Sequence, residues 1–397
     1  MQISFPAKRV LVVGGTGFVG SRLVERLMME TKAEVRVLVR NYGNAVRIAR
    51  FPIEMVRGSI TEPADVERAA EGCDVIFHCA YGNTGGGDEQ RKVTVDGTAN
   101  VMAAAQKASA ERVVYLSTVS VYGRAPDGDL DESATRRYSG GGYADTKLDA
   151  EKIAMNYAKR GLPVVTLQPT IIYGPFGPLW TIGILERLKA GGITVIEGGA
   201  GLCNIVYVDD VVNAMLLAAT KPEAAGEDFL ISGEQPVTWR EFYEAFEKML
   251  GLSSRIVSLT TDEAKAHYRQ KQSEKRIFKQ LQSILREDEA LRDRIITTPE
   301  AMKLLRTTRP LLPKGAWRAL KRRLKGDEEN SLWPLVSEAD GKATPEAIHP
   351  LDVELSKART RVRIDKAKRL LGYQPVYDFD SGMRSTEEWA RWANLLN

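Results

Sequence analysis

Residues 14–20 read Gly14-Gly15-Thr16-Gly17-Phe18-Val19-Gly20. The apolar run 8–13 precedes them and predicts a buried strand, and a helical pattern of apolar residues follows them. Glycines between a strand and a helix let the backbone turn tightly and approach a diphosphate, which the free N–H groups of the helix N-terminus then bind. A structural turn is the alternative, but the β-rich run 35–39 completes a βαβ unit and favours dinucleotide binding.

Strands and helices continue to alternate along the chain. Runs 74–78, 112–117 and 164–167 read as buried strands, and 95–108 and 143–160 read as helices. Repeated alternation of this kind implies a parallel sheet with helices on both faces. The sequence therefore predicts an α/β fold, namely a Rossmann-type doubly wound parallel sheet with a smaller, discontinuous C-terminal substrate domain.

Changes in composition suggest where the domains begin and end. We assign 1–175, together with about 205–232, to the dinucleotide-binding domain because these segments carry the strand–helix alternation. The segments 176–204 and 233–397 are assigned to the substrate-binding domain. The second of these contains a basic, helical segment at about 262–350.

Composition limits the other classes of function. A formal net charge of +4 is small for 397 residues and gives little support for a nucleic-acid partner. The three cysteines form no CxxC pair and three histidines are few, so neither a disulfide framework nor a metal site is expected. A reducing compartment fits this pattern, and we expect a cytoplasmic protein because no apolar stretch is long enough to span a bilayer. The cysteines are Cys73, Cys79 and Cys203.

Arg40 occupies the position that distinguishes two forms of the cofactor. It follows the second predicted strand, where an acidic residue would bind the ribose 2′-hydroxyl of NAD and an arginine suits a 2′-phosphate. Arg40 therefore favours NADP over NAD, while a solvated arginine at the end of a strand is the alternative.

Tyr143 and Lys147 are the candidate proton-handling pair. Four residues apart on a helix, their side chains share one face, and no other tyrosine of this chain has a lysine four residues later. A nearby ammonium should lower the tyrosine pKa from its usual value of about 10, so that the phenol exchanges a proton with a substrate oxygen. A structural pair is the alternative, but the position downstream of the glycine loop favours catalysis.

Hydroxyl groups end the strand at 112–117. Ser117, Thr118 and Ser120 follow it, and side chains at the carboxyl end of a parallel strand face the ligand crevice. One hydroxyl would orient the substrate oxygen, although caps and turns also use serine and threonine.

Taken together, seven motifs resemble the extended short-chain dehydrogenase/reductases. This group holds nucleotide-sugar epimerases and dehydratases, 3β-hydroxysteroid dehydrogenases and dihydroflavonol reductases. The similarity runs from residue 8 to about 232 and resumes at 356–392. Its motifs are GGTGFVG (14–20), HCA (78–80), LSTVSVYG (116–123), YADTK (143–147), QPTIIYGP (168–175), VYVDD (206–210) and LGYQP (371–375).

The resemblance implies roles for individual residues. It places the catalytic hydroxyl at Thr118, beside Tyr143 and Lys147, and makes 262–350 an insert. The cofactor-binding residues that it and the patterns above imply are Gly14, Thr16, Gly17, Phe18, Val19, Gly20, Arg40, Ser59, Ile60, Cys79, Ala80, Tyr81, Ser117, Tyr143, Lys147, Pro169, Thr170 and Ile171. Candidates for binding substrate are Tyr81, Ser120, Gln168 and Asn204.

Some positions depart from the family pattern. Gln168 stands where arginine is common, and 201–204 lacks the arginine that nucleotide-sugar members use to hold a diphosphate. These departures favour a small-molecule substrate without a nucleotide.

The predicted activity is hydride transfer between NADP(H) or NAD(H) and a secondary alcohol or ketone carbon. One alternative is a nucleotide-sugar epimerase or dehydratase with tightly bound NAD, and another is a non-catalytic NADP sensor or scaffold. The resemblance implies a homodimer formed through 95–108 and 143–160. The cationic segment 317–325 would allow peripheral membrane contact, but a solvated helix is favoured.

Overall fold

The computed structural model describes residues 5, 8–82, 85–123, 127–140, 142–287, 345 and 347–397. The strands are β1 (Arg9–Val13), β2 (Glu34–Val39), β3 (Glu54–Arg57), β4 (Val75–His78), β5 (Arg112–Leu116), β6 (Gly128–Leu130), β7 (Val164–Pro169), β8 (Ile171–Tyr173), β9 (Ile193–Ile196), β10 (Leu202–Cys203), β11 (Ile205–Tyr207), β12 (Asp228–Ile231), β13 (Val237–Thr238), β14 (Ile256–Leu259) and β15 (Thr360–Val362).

The α-helices are α1 (Phe18–Glu30), α2 (Pro63–Ala70), α3 (Gly87–Arg91), α4 (Gly97–Lys107), α5 (Tyr143–Lys159), α6 (Gly183–Ala190), α7 (Val208–Thr220), α8 (Trp239–Met249), α9 (Thr261–Glu287), α10 (Pro350–Lys357) and α11 (Phe379–Trp392). Short 3₁₀ or π turns lie at Tyr42–Ala45, Lys92–Asp96, Val119–Tyr122, Pro178–Ile182, Glu197–Gly199, Pro222–Ala224 and Ala367–Leu371.

A seven-stranded sheet forms the centre of the fold. Its order is β12-β7-β5-β4-β1-β2-β3, and every neighbouring pair is parallel. The chain winds outward in both directions from the adjacent pair β1 and β4, which is the doubly wound arrangement. The predicted α/β Rossmann-type class is therefore confirmed.

Helices cover both faces of this sheet. Alternate residues of β1 point to opposite sides: Leu11 packs with α2, α4 and α5, whereas Val12 lies beside Val24 of α1. On that second face α1 packs against α7, and Arg22 and Asp209 join the two helices by an ion pair. Helices therefore lie on both faces of the sheet.

The chain divides into two compact units. The first comprises Met1–Leu185, Gly201–Leu250 and Ala358–Asn397, and it holds the sheet. Within it β15 pairs in parallel with β6, although the two strands lie far apart in the sequence. The predicted division into a cofactor domain and a substrate domain is functional and stays a prediction.

The second unit comprises Glu186–Ala200 and Gly251–Lys357. Strands β9 and β14 pair in parallel, and the unit has a small apolar cluster of its own, formed by Ile196, Ala264 and Val353. Helix α9 agrees with the helical composition at the start of the insert. The cationic segment 317–325 lies outside the described residues. No helix among those described is long and apolar enough to cross a membrane.

We predict that Gly20→Ala destabilises the fold by about 1–3 kcal/mol, because an added side chain overpacks a closed contact. Its Cβ would lie 2.2 Å from the Gly14 carbonyl oxygen, a backbone atom that cannot move without shifting the loop. Urea unfolding without cofactor measures the loss. Gly86→Ala is the matched control, since nothing lies within 4 Å of the added Cβ, and equal stability of the two variants would contradict the prediction.

Candidate functional site

Residues from six strands converge on one edge of the sheet. Parallel strands end at the same edge, so the residues that follow them lie together there. Each of these residues comes directly after its strand or one position later. They are Gly14 after β1, Arg40 after β2, Ser59 after β3, Cys79 after β4, Ser117 after β5 and Thr170 after β7.

The glycine loop between β1 and α1 has the geometry of an anion-binding turn. Gly14 has a φ of +86°, and an added Cβ would lie 2.6 Å from the Ala80 nitrogen. Gly17 donates its N–H to the Gly14 carbonyl at 3.0 Å and precedes α1 without a side-chain cap. The first N–H groups of α1 are therefore available to a diphosphate, and the loop fits a dinucleotide.

Three side chains on successive turns of α5 bond to the segment that ends β5. Tyr143 is hydrogen-bonded to Thr118, and the Lys147 ammonium donates to the Leu116 carbonyl at 2.7 Å. Ser117 donates its hydroxyl to the Glu151 carboxylate. The i, i+4 spacing places all three on one face of the helix. The predicted residues Thr118, Tyr143 and Lys147 are thus brought together.

Tyr143 presents a neutral phenol. Burial of the hydroxyl raises its pKa to about 12, Tyr81 acts in the same direction, and the bond with Thr118 opposes both. The residue as a whole is 51% exposed, so the shielding applies to the hydroxyl end. The expectation that Lys147 lowers the Tyr143 pKa is wrong in direction, because burial dominates and the ammonium is directed at the Leu116 carbonyl.

Lys147 is a buried cation. Burial lowers its pKa to about 8, and the neighbouring Glu151 and Cys79 oppose that effect. Its Nζ also lies 4.6 Å from the centre of the Tyr115 ring, a distance suited to a cation–π contact. The ammonium therefore stays charged at neutral pH and is already oriented.

The structure separates the three hydroxyls that end β5. Ser117 is buried, and its hydroxyl donates to Glu151. Thr118 caps the short turn Val119–Tyr122 by accepting the N–H of Ser120, and it also bonds Tyr143. Ser120 accepts a hydrogen bond from Thr118 at 3.3 Å. Only Thr118 of the three bonds the candidate acid directly, among the contacts of the described residues.

Tyr81 borders the candidate acid. Its ring lies edge-on to Tyr143 with centroids 5.7 Å apart, and it is 44% exposed. Cys79 is held by its N–H to the Val13 carbonyl, and burial raises the pKa of its thiol to about 12. The thiol is therefore neutral and does not act as a nucleophile at neutral pH.

The remaining predicted cofactor residues lie along the same edge. Arg40 is exposed and makes no hydrogen bond or ion pair with any residue in the described part of the chain. Ser59 donates its N–H to Asp65, and the Ile60 carbonyl accepts from Asn100. Pro169 ends β7, and the segment that follows it, Thr170 and Ile171, is held to Ile231 and Asn204 by backbone bonds.

Two predicted substrate residues have internal roles. Gln168 is fully buried, donates to Glu151 at 2.9 Å and accepts from Tyr122 at 2.8 Å. Asn204 donates to the Thr360 carbonyl at 2.8 Å and accepts the Val362 N–H at 2.9 Å. Because both ends of each amide are occupied, the substrate site that we propose below excludes them.

Sequence reasoning missed Glu151 and Arg136. Glu151 is fully buried and pairs with Arg136, which comes from the loop before α5. The acidic residue four positions after Lys147 was a usable signal, since it extends the same helical face. No local pattern marks Arg136 as its partner.

Comparison with known proteins identifies relatives that each match about 57–65% of the chain. A 2-alkyl-3-oxoalkanoate reductase of Shewanella oneidensis is 30% identical over 245 residues, which are 57% of this chain and 62% of the relative. The match therefore spans less than two thirds of that relative. A 4-hydroxy-2-methyl-3-oxo-4-farnesyl-3,4-dihydroquinoline-1-oxide ketoreductase of Stigmatella aurantiaca is 28% identical over 265 residues, 65% of this chain and 78% of the relative.

Solved structures share the fold at low sequence identity. An epimerase from Methanothermobacter thermautotrophicus matches with a TM-score of 0.67 and 19% identity, covering 98% of this chain and 95% of its own. A dTDP-glucose 4,6-dehydratase of Bacillus anthracis, solved with NAD, matches with a TM-score of 0.65 and 19% identity, covering 97% of each chain. The sequence model of one family matches residues 10–232, and the family resemblance predicted from the motifs is confirmed. The chain belongs to the NAD dependent epimerase/dehydratase family.

Proposed function

We propose that the protein is an NADP(H)-dependent reductase of a ketone, or dehydrogenase of the corresponding secondary alcohol, on a small molecule without a nucleotide. The observation that carries this proposal is the set of contacts between α5 and the end of β5. A neutral phenol, a hydroxyl bonded to it and a buried ammonium one helical turn away lie at the edge that holds the glycine loop. Proton transfer to a carbonyl oxygen requires groups of these kinds in this proximity.

In the reductive direction Tyr143 donates its phenolic proton to the substrate oxygen. Thr118 orients that oxygen, and the Lys147 ammonium supplies a positive charge one helical turn away. Bound NADPH would supply the hydride to the carbonyl carbon, so that a ketone and a proton give a secondary alcohol and NADP⁺. A pKa of about 12 keeps Tyr143 protonated in the resting site, as an acid must be.

The guanidinium of Arg40, which pairs with no residue that the structure describes, supports NADP as the cofactor. It follows β2, which neighbours β1 and the glycine loop in the sheet. A 2′-phosphate is the anion that an arginine at this position suits.

The substrate class rests on residues 201–204 and on the relatives. This segment carries no arginine to hold a sugar-nucleotide diphosphate, and the Asn204 amide is occupied by Thr360 and Val362. The relatives from Shewanella and Stigmatella are named as reductases of oxo groups. A carbonyl compound without a nucleotide fits these observations.

The setting of the enzyme is proposed as well. We place it in the cytoplasm, as a homodimer that packs through α4 and α5. Contact with a membrane through 317–325 is not favoured.

Replacing the acid tests the proposal. Tyr143→Phe should lower kcat for NADPH-dependent ketone reduction by about 10²–10⁴-fold, the usual contribution of a positioned acid. NADPH affinity and the thermal midpoint should stay near wild type. Tyr157→Phe, on the same helix, is the control and should retain full rate. Full ketone reduction by Tyr143→Phe would rule out Tyr143 as the acid, whereas unchanged biological activity with intact NADPH binding would support a sensor or scaffold.

A second substitution tests the cofactor. Arg40→Ala should weaken NADPH binding by about 1.5–3 kcal/mol, the range for a hydrogen bond to a charged group, and leave NADH binding unchanged. Isothermal titration with both cofactors measures the difference. Lys32→Ala, at the opposite end of β2, is the control. Equal losses for NADPH and NADH would rule out a 2′-phosphate contact.

A further inference from the structure

Glu151 extends the contacts between α5 and β5 by one helical turn. Tyr143, Lys147 and Glu151 follow one another at intervals of four residues, and each bonds to the segment Leu116–Thr118. Glu151 bonds to Ser117, which lies between Leu116, the partner of Lys147, and Thr118, the partner of Tyr143.

Glu151 is also part of a row of alternating charges. Its carboxylate pairs with Arg136, and Arg136 lies 2.9 Å from Asp228 of β12. Asp228 is followed by Lys366, whose Nζ lies 3.8 Å from it. The row runs from Glu151 to the edge strand β12 and Lys366, and Glu151 is its fully buried member.

Every other titratable group that faces Lys147 is neutral at neutral pH. Burial lowers the pKa of His78 to about 3, and it raises the pKa of Cys79 to about 12 and that of Tyr115 well above its usual range. Tyr143 is protonated as described above. Among the described residues that influence Lys147, Glu151 thus supplies the negative charge.

Arg136 and Gln168 explain how a carboxylate is tolerated in this position. Removing a charge from water is costly unless it is paired and its remaining lone pairs are satisfied. Arg136 provides the opposite charge, while Ser117 and Gln168 donate to the two carboxylate oxygens. The rings of Tyr115 and Tyr122 lie nearby and remain uncharged.

We propose that Glu151 is a positioning residue for the reaction: its charge keeps Lys147 an ammonium, and its bond to Ser117 fixes the strand end that carries Thr118. Glu151 acts through these neighbours and touches neither cofactor nor substrate in this scheme. The inference rests on the proposed function for its catalytic meaning, and on the bond of Glu151 to Ser117 and its electrostatic effect on Lys147 for the positioning role.

The pH dependence of Glu151→Gln tests the proposal. Without the negative charge the Lys147 pKa falls, so the ammonium is lost at lower pH. The alkaline limb of kcat should move down by about one pH unit or more, the shift expected of a nearby opposite charge. The ratio of kcat at pH 8.5 to kcat at pH 6 should then fall roughly fivefold or more. Glu151→Asp keeps the negative charge and should leave the alkaline limb of kcat at its wild-type pH.

Two further variants separate charge from folding. Asp149→Asn makes the same chemical change on the same helix, removes an ion pair with Arg91, and should leave the limb in place. If Glu151→Gln alone fails to fold, Arg136→Gln/Glu151→Gln removes both buried charges and should show the same shift. A uniform loss of kcat at all pH values, with the limb unmoved, assigns Glu151 a structural role and overturns the proposal.

Direct titration of Lys147 distinguishes this inference from the proposed function. Lysine labelled with ¹³C at Cε, with the Lys147 signal assigned by Lys147→Met, should titrate at lower pH in Glu151→Gln than in wild type. If wild type reduces no ketone with NADPH, the proposed function fails, yet this shift would still support the pairing. An unshifted Lys147 signal overturns the inference whatever the activity.

Discussion

The hydrogen bond from the Lys147 ammonium to the Leu116 carbonyl joins α5, the helix that carries the candidate acid Tyr143, to the sheet. Leu116 ends β5, and the next two residues bond to Glu151 and Tyr143, so that three neighbouring contacts set the position of α5 against the strand. Because β5 is a central strand, its end cannot shift without disturbing β4 and β7. The pairing of β5 with β4 and β7 therefore holds the site residues in position.

The close packing of the glycine loop fixes the other part of the site, where the cofactor is expected. Gly20 lies against the Gly14 carbonyl so closely that only hydrogen fits, and this brings the start of α1 down onto the end of β1. β1 and β4 are neighbours, which sets the loop beside Cys79 and Ala80. A parallel sheet thus places the glycine loop and the contacts between α5 and β5 on one edge without any long connecting loop.

Local sequence patterns were sufficient to predict the parts of the structure that depend on local rules. The glycine spacing, the apolar strands and the Tyr143–Lys147 interval each follow from backbone geometry or helical periodicity. The pairing of β6 with β15 and of Arg136 with Glu151 does not, because partners distant in sequence leave no periodic signal. The pKa of Tyr143 was missed for a similar reason, since burial is a property of the packed fold.

The row of charges that begins at Glu151 is better explained by function than by stability. A buried ion pair returns little net stability, because desolvation offsets most of the attraction, and an apolar packing of equal volume would serve as well. What Glu151 provides instead is a negative charge one helical turn beyond Lys147 and two turns from Tyr143. A carboxylate placed beside Tyr143 would repel the developing phenolate, whereas one beyond Lys147 keeps the ammonium charged. Gln168 fits this arrangement, because its amide donates to Glu151 without adding a second positive charge beside Arg136.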